Sequence, residues 1–196
     1  MTADEGRLRL FVAVNPPRRF REDLDTRLDR IRDQVRIAWT RPPSWHLTLA
    51  FLGDWPAERR ETLRKALWTR VCGHEPFLLR PGGVGAFPSL RRPRVLFLHT
   101  DGGDPLQALA NDVRDAADRA WPDGPQDHKD FRPHLTLARI KRPLQGAEPA
   151  LLRTLDLGAW DPFPVERVQL MASERRPDGA RYTVVDDVPL GVSGGR

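Results

Sequence analysis

The pentapeptide HLTLA occurs twice in this chain, at residues 46–50 within WHLTLAFLG and at 134–138 within PHLTLARI. Chance repetition of a five-residue word in a chain of this composition is on the order of one per cent, so internal duplication is the economical reading. The word also constrains geometry. In a strand successive side chains alternate between faces, so His46 and Thr48 point one way and Leu47 and Leu49 the other. His134 and Thr136 stand in the same relation to Leu135 and Leu137. The leucines can turn to a core while two His-Thr pairs line an exposed surface. If the two halves are related by an approximate two-fold axis, the pairs converge across a cleft.

The remaining sequence supplies two strand-and-helix lobes around these words. RLRLFVAV (7–14) reads as a strand stopped by NPP. Phe20, Leu24, Leu28, Ile31 and Val35 then recur at helical spacing. A second helix is expected from Pro56 to about Val71, with proline in its first turn. FLLRPGGVGAFPS and RPRVLFLHT read as strands, with PGGVG itself resembling a loop more than a nucleotide-binding fingerprint. A third helix opens at Asp104-Pro105. Residues 148–154 suggest a short helix. PFPVERVQLMASE and ARYTVVDDVPL then read as a hairpin turning at RRPDG. Mixed strands and helices with a late hairpin predict an α+β fold, not a doubly wound parallel sheet. One bilobal domain over residues 1–190 is expected, followed by a loose tail at 191–196.

Composition narrows the classes. The 196 residues suffice for a buried core, and no apolar run approaches the roughly 20 residues a membrane span needs. The N-terminus reads as a strand, not a signal peptide. Cys72 is the single cysteine, so no internal disulfide forms and a cytoplasmic setting is expected; the thiol reads as buried and inert. The formal net charge of +5 and a pI near 10.2 favour an anionic partner. Lys65, Lys129 and Lys141 are the only lysines, and so strong an arginine bias also fits a GC-rich genome. Arg91, Arg92 and Arg94 can bind RNA phosphates or form a solvated loop.

Two histidines and two hydroxyls, without a thiol nucleophile, suit phosphodiester displacement. An imidazole near its reference pKa serves as base when neutral and as acid when protonated, so a pair handles both proton transfers. The threonine hydroxyls can donate to phosphate oxygens as charge develops there. A metal site is the rival use of clustered histidines, with Asp127, His128 and Asp130 as added ligands. No HExxH, CxxC or closely spaced carboxylate set accompanies the motifs. Neither GxSxG nor a P-loop is present.

At these residues the chain resembles a known family. The paired HLTL words, with RLRLFVAVNPP, WHLTLAFLGD, GVGAFPS, RPRVLFL, FRPHLTLARI and VQLMASERRPDGARYTVV, are similar to the bacterial and archaeal RNA 2′,3′-cyclic phosphodiesterases. These were historically called 2′-5′ RNA ligases and belong to the two-histidine phosphoesterase superfamily. The resemblance covers about residues 7–190. It implies a bilobal fold of two pseudo-symmetric lobes, each an antiparallel sheet flanked by helices, around a central groove. It implies hydrolysis of a terminal 2′,3′-cyclic phosphate to a 2′-phosphate with no metal or other cofactor, the reverse joining chemistry giving the ligase name. His46 and His134 match the catalytic pair, with His134 as base and His46 as acid in the favoured assignment. Thr48 and Thr136 match the phosphate-binding threonines. Phe51 matches a nucleobase-stacking aromatic and Arg139 a phosphate-contacting arginine. Strand parity sets Phe51 and Arg139 opposite their histidines, so each needs a bulge or a strand end to reach the groove. Trp45 reads as packing, Tyr182 matches a recurrent position, and His74 and His99 read as bystanders. Phe97 departs from the tryptophan common among relatives.

The expected partners are RNA ends or nucleotides bearing a 2′,3′-cyclic phosphate, with no membrane, and a monomer is expected. The alternatives are a small ADP-ribose-derived cyclic phosphate as substrate, or a non-catalytic module that binds RNA ends.

Overall fold

The structure is a computed structural model describing residues 6–127, 130–176 and 179–192. Among these, nine strands join one antiparallel sheet. The strands are β1 (Arg7–Val14), β2 (Ala38–Trp39), β3 (Leu47–Pro56), β4 (Phe77–Phe87), β5 (Val95–Asp101), β6 (His134–Arg139), β7 (Phe163–Val165), β8 (Arg167–Arg176) and β9 (Gly179–Pro189). Their order, β7-β4-β5-β6-β3-β1-β8-β9, divides into two four-stranded halves that meet where β6 lies beside β3. Leu47 pairs with Leu135 at this seam, and both are fully buried. Each half therefore offers its HLTL strand to the other, as duplication about a two-fold axis predicts.

Alternation decides what faces the core. On β1, Leu8, Leu10, Val12 and Val14 join the main hydrophobic cluster, while Phe11 and Ala13 form a small separate cluster with Met171 and Tyr182 on the opposite face. Four helices cover the core face: α1 (Arg18–Arg32), α2 (Arg60–Val71), α3 (Gly103–Ala120) and α4 (Glu148–Arg153). α2 and α3 pack on each other, α3 meeting β3 and α2 meeting β9. The apolar face of α1 seats Phe20 on Trp160 and Phe163, with ring centroids 5.0 and 4.9 Å apart. No described helix is long and apolar enough to cross a membrane.

Several boundaries differ from the sequence expectation. The second helix does not begin at Pro56, because Trp55 and Pro56 still pair with Leu8 and Arg7; α2 follows only after a 3-10 turn at Ala57–Arg59. PGGVG is not a loop. It lies inside β4, where the pairing with β5 slips between Pro81 and Val84. The two-residue β2 has no periodicity to announce it, yet it takes the place beside β6 that β3 leaves, pairing Ala38 with Arg139. The tail expected from 191 begins with two tied residues, Gly191 N–H donating to His74 O and Val192 N–H to Cys72 O. Residues 193–196, and Pro177 and Asp178 of the RRPDG turn, lie outside the described residues.

Candidate active site

The seam sets the geometry. An antiparallel register of Leu47 with Leu135 brings His46 towards Thr136 and Thr48 towards His134, so each histidine faces the other motif's hydroxyl. All four side chains are partly buried on the sheet face opposite the main core.

Matching bulges then reset the parity of both strands. Along β3, Ala13 pairs with Thr48 and Val12 with Ala50, leaving Leu49 as the extra residue. Leu49 and Ala50 both turn inward, and Phe51 returns to the Thr48 face, 42% exposed. Along β6, Phe97 pairs with Thr136 and Leu96 with Ala138, so Leu137 is the extra residue. Leu137 and Ala138 are buried, and Arg139 emerges, exposed, on the Thr136 face. Phe51 is thus not core filler. Its ring carries the Arg9 guanidinium 4.7 Å from its centroid, and its backbone N–H donates to Asp127.

A buried brace ties one motif to the other. Trp45 is 1% exposed, and its Nε1–H donates to Thr40 Oγ1 at 2.7 Å. The Thr40 hydroxyl lies 2.7 Å from Thr136 O and 2.8 Å from Leu137 O, to which it donates. The residue before His46 is therefore held to the backbone beside Thr136.

The two imidazoles have different surroundings. His46 packs against Phe11 and the edge of Tyr182, at 4.7 and 4.9 Å, and its Nδ1 is buried with no partner in the described structure. Burial, then the nearby His134 and Arg139 charges, push its pKa down to about 4. His134 Nδ1 lies 2.6 Å from Arg132 O; donation of its proton there leaves Nε2 with the lone pair. Burial lowers the His134 pKa, the Arg132 carbonyl opposes that shift, and His99 and Arg139 lower it further.

His99 does not stand apart as a bystander. It pairs with His134 across β5 and β6, and Phe97, 4.8 Å from its ring, touches both. A Cβ on Gly85 would lie 2.7 Å from the Phe97 ring and 2.8 Å from His99 Nε2, so the glycine run makes room for both rings. Alternation within VLFLHT and the glycines opposite carried that signal. His74 is remote from the groove, bonded to Asp112 at 2.8 Å.

Of the carboxylates weighed as metal ligands, Asp127 accepts from Phe51 N–H, and Asp130 pairs with Arg132 at 3.9 Å. His128 lies outside the described residues. Among the described residues no three His, Cys, Asp or Glu side chains are grouped to hold a metal ion.

A curled antiparallel sheet that carries a histidine and a threonine from each half into one groove defines a two-histidine phosphoesterase fold. A solved structure of TT0787 from Thermus thermophilus superposes with a TM-score of 0.77 at 30% identity, covering 93% of this chain and 97% of that one. E. coli LigT complexed with 3′-AMP gives 0.70 at 26% identity, covering 95% and 99%. The family model of the 2′-5′ RNA ligase superfamily matches residues 16–177, and the chain belongs to that superfamily. A Thermus thermophilus relative named RNA 2′,3′-cyclic phosphodiesterase is 34% identical over 194 residues, covering 96% of this chain and 93% of its own.

Proposed function

We propose that this protein is an RNA 2′,3′-cyclic phosphodiesterase that opens a terminal cyclic phosphate to a 2′-phosphate by metal-independent acid–base catalysis. The observation that carries the reading is the seam register, which sets His46 against Thr136 and His134 against Thr48. The names of the relatives and the 3′-AMP bound to LigT support the substrate class.

Water attacks phosphorus while His134 Nε2 takes its proton; the bond from phosphorus to the 3′ oxygen breaks, and His46 gives that oxygen a proton. The threonine hydroxyls donate to the non-bridging oxygens, Arg139 offers its fork to the same anion, and Phe51 stacks the terminal base. An imidazole with a pKa near 4 is neutral in the empty groove at pH 7. The phosphate monoanion offsets the cost of protonating it, so His46 is loaded as substrate binds. With a 5′-hydroxyl in place of water the same displacement, with the same P–O3′ bond broken, joins two RNA ends through a 2′-5′ phosphodiester.

The test is incubation of an oligoribonucleotide ending in a 2′,3′-cyclic phosphate in EDTA, with chromatographic assignment of the product. A 2′-phosphate is expected. Turnover lost to chelator would replace the reading with a metal hydrolase, and end binding without turnover would replace it with a non-catalytic module. Turnover confined to a cyclic phosphate derived from ADP-ribose would replace the RNA substrate.

A further inference from the structure

Two clefts follow the motif strands in the chain, one beyond Phe51 and one beyond Arg139, and they differ in charge. Past Phe51, the first half presents carboxylates among its cations: Asp54, 64% exposed at its side chain, pairs with Arg9, and Glu174 lines the same cleft. Past Arg139, the second half presents cations alone. An open groove of about 760 Å³ is lined there by Arg91, Arg92, Arg94, Lys141 and Arg142, with leucine, isoleucine and proline between them and no carboxylate. Arg91, Arg92, Arg94 and Lys141 are exposed, and none makes a side-chain hydrogen bond or ion pair among the described residues. Glu148, the carboxylate of the adjoining α4, is buried, and both its oxygens accept from Arg142. One cation is neutralised there and four are left unbalanced.

These cations continue the site strand. β6 carries His134, Thr136 and Arg139; Ile140 N–H then donates to Arg94 O at 2.8 Å, which fixes the 91–94 turn beside Lys141. At about 3.3 Å per residue, His134 to Arg139 spans roughly 17 Å at most, and Lys141 follows two residues beyond the strand. A small cyclic phosphate fills only the His-Thr groove and leaves this row without a partner.

We propose that the groove formed by Arg91, Arg92, Arg94 and Lys141 binds the sugar-phosphate backbone of the single-stranded RNA leading to the cyclic end. The inference rests on the cyclic phosphodiesterase reading for the end itself. A 2′,3′-cyclic phosphate closes the 3′ end of a chain, so the rest of the RNA leaves the site in one direction. The exit lined only by cations attracts it more strongly than the other, where Asp54 and Glu174 offset two of the three arginines Arg7, Arg9 and Arg175. The prolines and leucines give the sugars and bases apolar walls between the bound phosphates.

The test compares the wild type with a variant carrying Arg91→Glu, Arg92→Glu and Lys141→Glu. Folding is checked by circular dichroism. Each protein is assayed on a ten-nucleotide RNA ending in a 2′,3′-cyclic phosphate and on a 2′,3′-cyclic mononucleotide, from 50 to 200 mM salt. Affinity for a fluorescent ten-nucleotide RNA with a plain 3′-phosphate is measured by anisotropy, with polyglutamate as competitor. The expected result is a ten- to hundredfold fall in the ratio of kcat/KM for the oligomer to kcat/KM for the mononucleotide at 50 mM salt. The log-log salt slope of RNA binding becomes shallower by about 0.7 for each phosphate that the variant no longer neutralises. An unchanged ratio with unchanged RNA affinity overturns the proposal, as does polyglutamate that displaces RNA at equal charge concentration. If the wild type turns over neither substrate, the phosphodiesterase reading fails and the anisotropy still decides the groove. Weaker RNA binding by the variant then supports it, and equal binding refutes it.

Discussion

His46 and His134 open the same HLTLA word but lie in different surroundings, though burial lowers the pKa of both. The first loses hydration without gaining a partner for Nδ1, and the second loses hydration while Arg132 O holds its Nδ1 proton. The sequence alone makes the two equivalent, since HLTL is spelled the same at both places. Their difference comes from non-local packing of Phe11 and Tyr182 on His46 and from the local turn that brings Arg132 O back to His134, neither of which the HLTL word encodes. Histidine NMR titration should find His46 half-protonated near pH 4 in the free protein, with inorganic phosphate moving that midpoint upward as an anion enters between the rings. A midpoint that phosphate leaves unmoved would contradict His46 as the acid. His99 acts in the opposite sense on its neighbour, because its charge disfavours a proton on His134. Replacing His99 with Asn should raise the His134 midpoint in the same spectra.

Among elements, those written by periodicity are legible and those set by pairing are not. β1, the apolar face of α1 and the two HLTL strands follow directly from alternation or helical spacing. The strand parity of Phe51 and Arg139 even requires a bulge, and the register places one before each. The start of α2 escapes the sequence because proline in a first turn is a local signal, whereas Pro56 is held in β3 by Arg7, some fifty residues away. β2 is too short to carry a pattern, although the brace beside it sets the spacing of the two motifs. Thr40→Val removes the acceptor of Trp45 Nε1–H and the donor to the Thr136 and Leu137 carbonyls in a nearly isosteric change. Denaturant unfolding should show a loss of about 1–3 kcal/mol, the cost of leaving a buried donor unpaired. Turnover should fall with little change in KM, since the motifs are displaced but not removed. A variant with wild-type kcat would show that the brace contributes only to stability.

At the scale of the whole molecule, duplication explains how one sheet brings two His-Thr pairs to a single seam, and burial of His46 there costs stability in acid. A histidine whose folded pKa lies near 4 binds fewer protons than the unfolded chain between that value and 6.5, so stability rises with pH across this window. The contribution of His46 is about 3 kcal/mol, lost as the pH falls from 6.5 towards 4. Glu148, held down to about 2 by Arg142 and by the Gln145 and Arg36 amides, adds stability that persists above its ordinary range and fails only in stronger acid. Chemical denaturation from pH 4 to 7 should therefore show a slope that flattens in His46→Ala. Fold class and the four motif residues are readable because the HLTLA word is written twice; the different charge of the two clefts depends on turns that the two halves do not share. The most direct measurement of the central claim is single-turnover hydrolysis of a 2′,3′-cyclic phosphate end by wild type, His46→Ala, His134→Ala and the double variant, each shown to be folded. An acid–base pair predicts that each single change lowers the rate by about two to four powers of ten, with the double change costing far less than their product. Wild-type turnover in either folded single variant would contradict it.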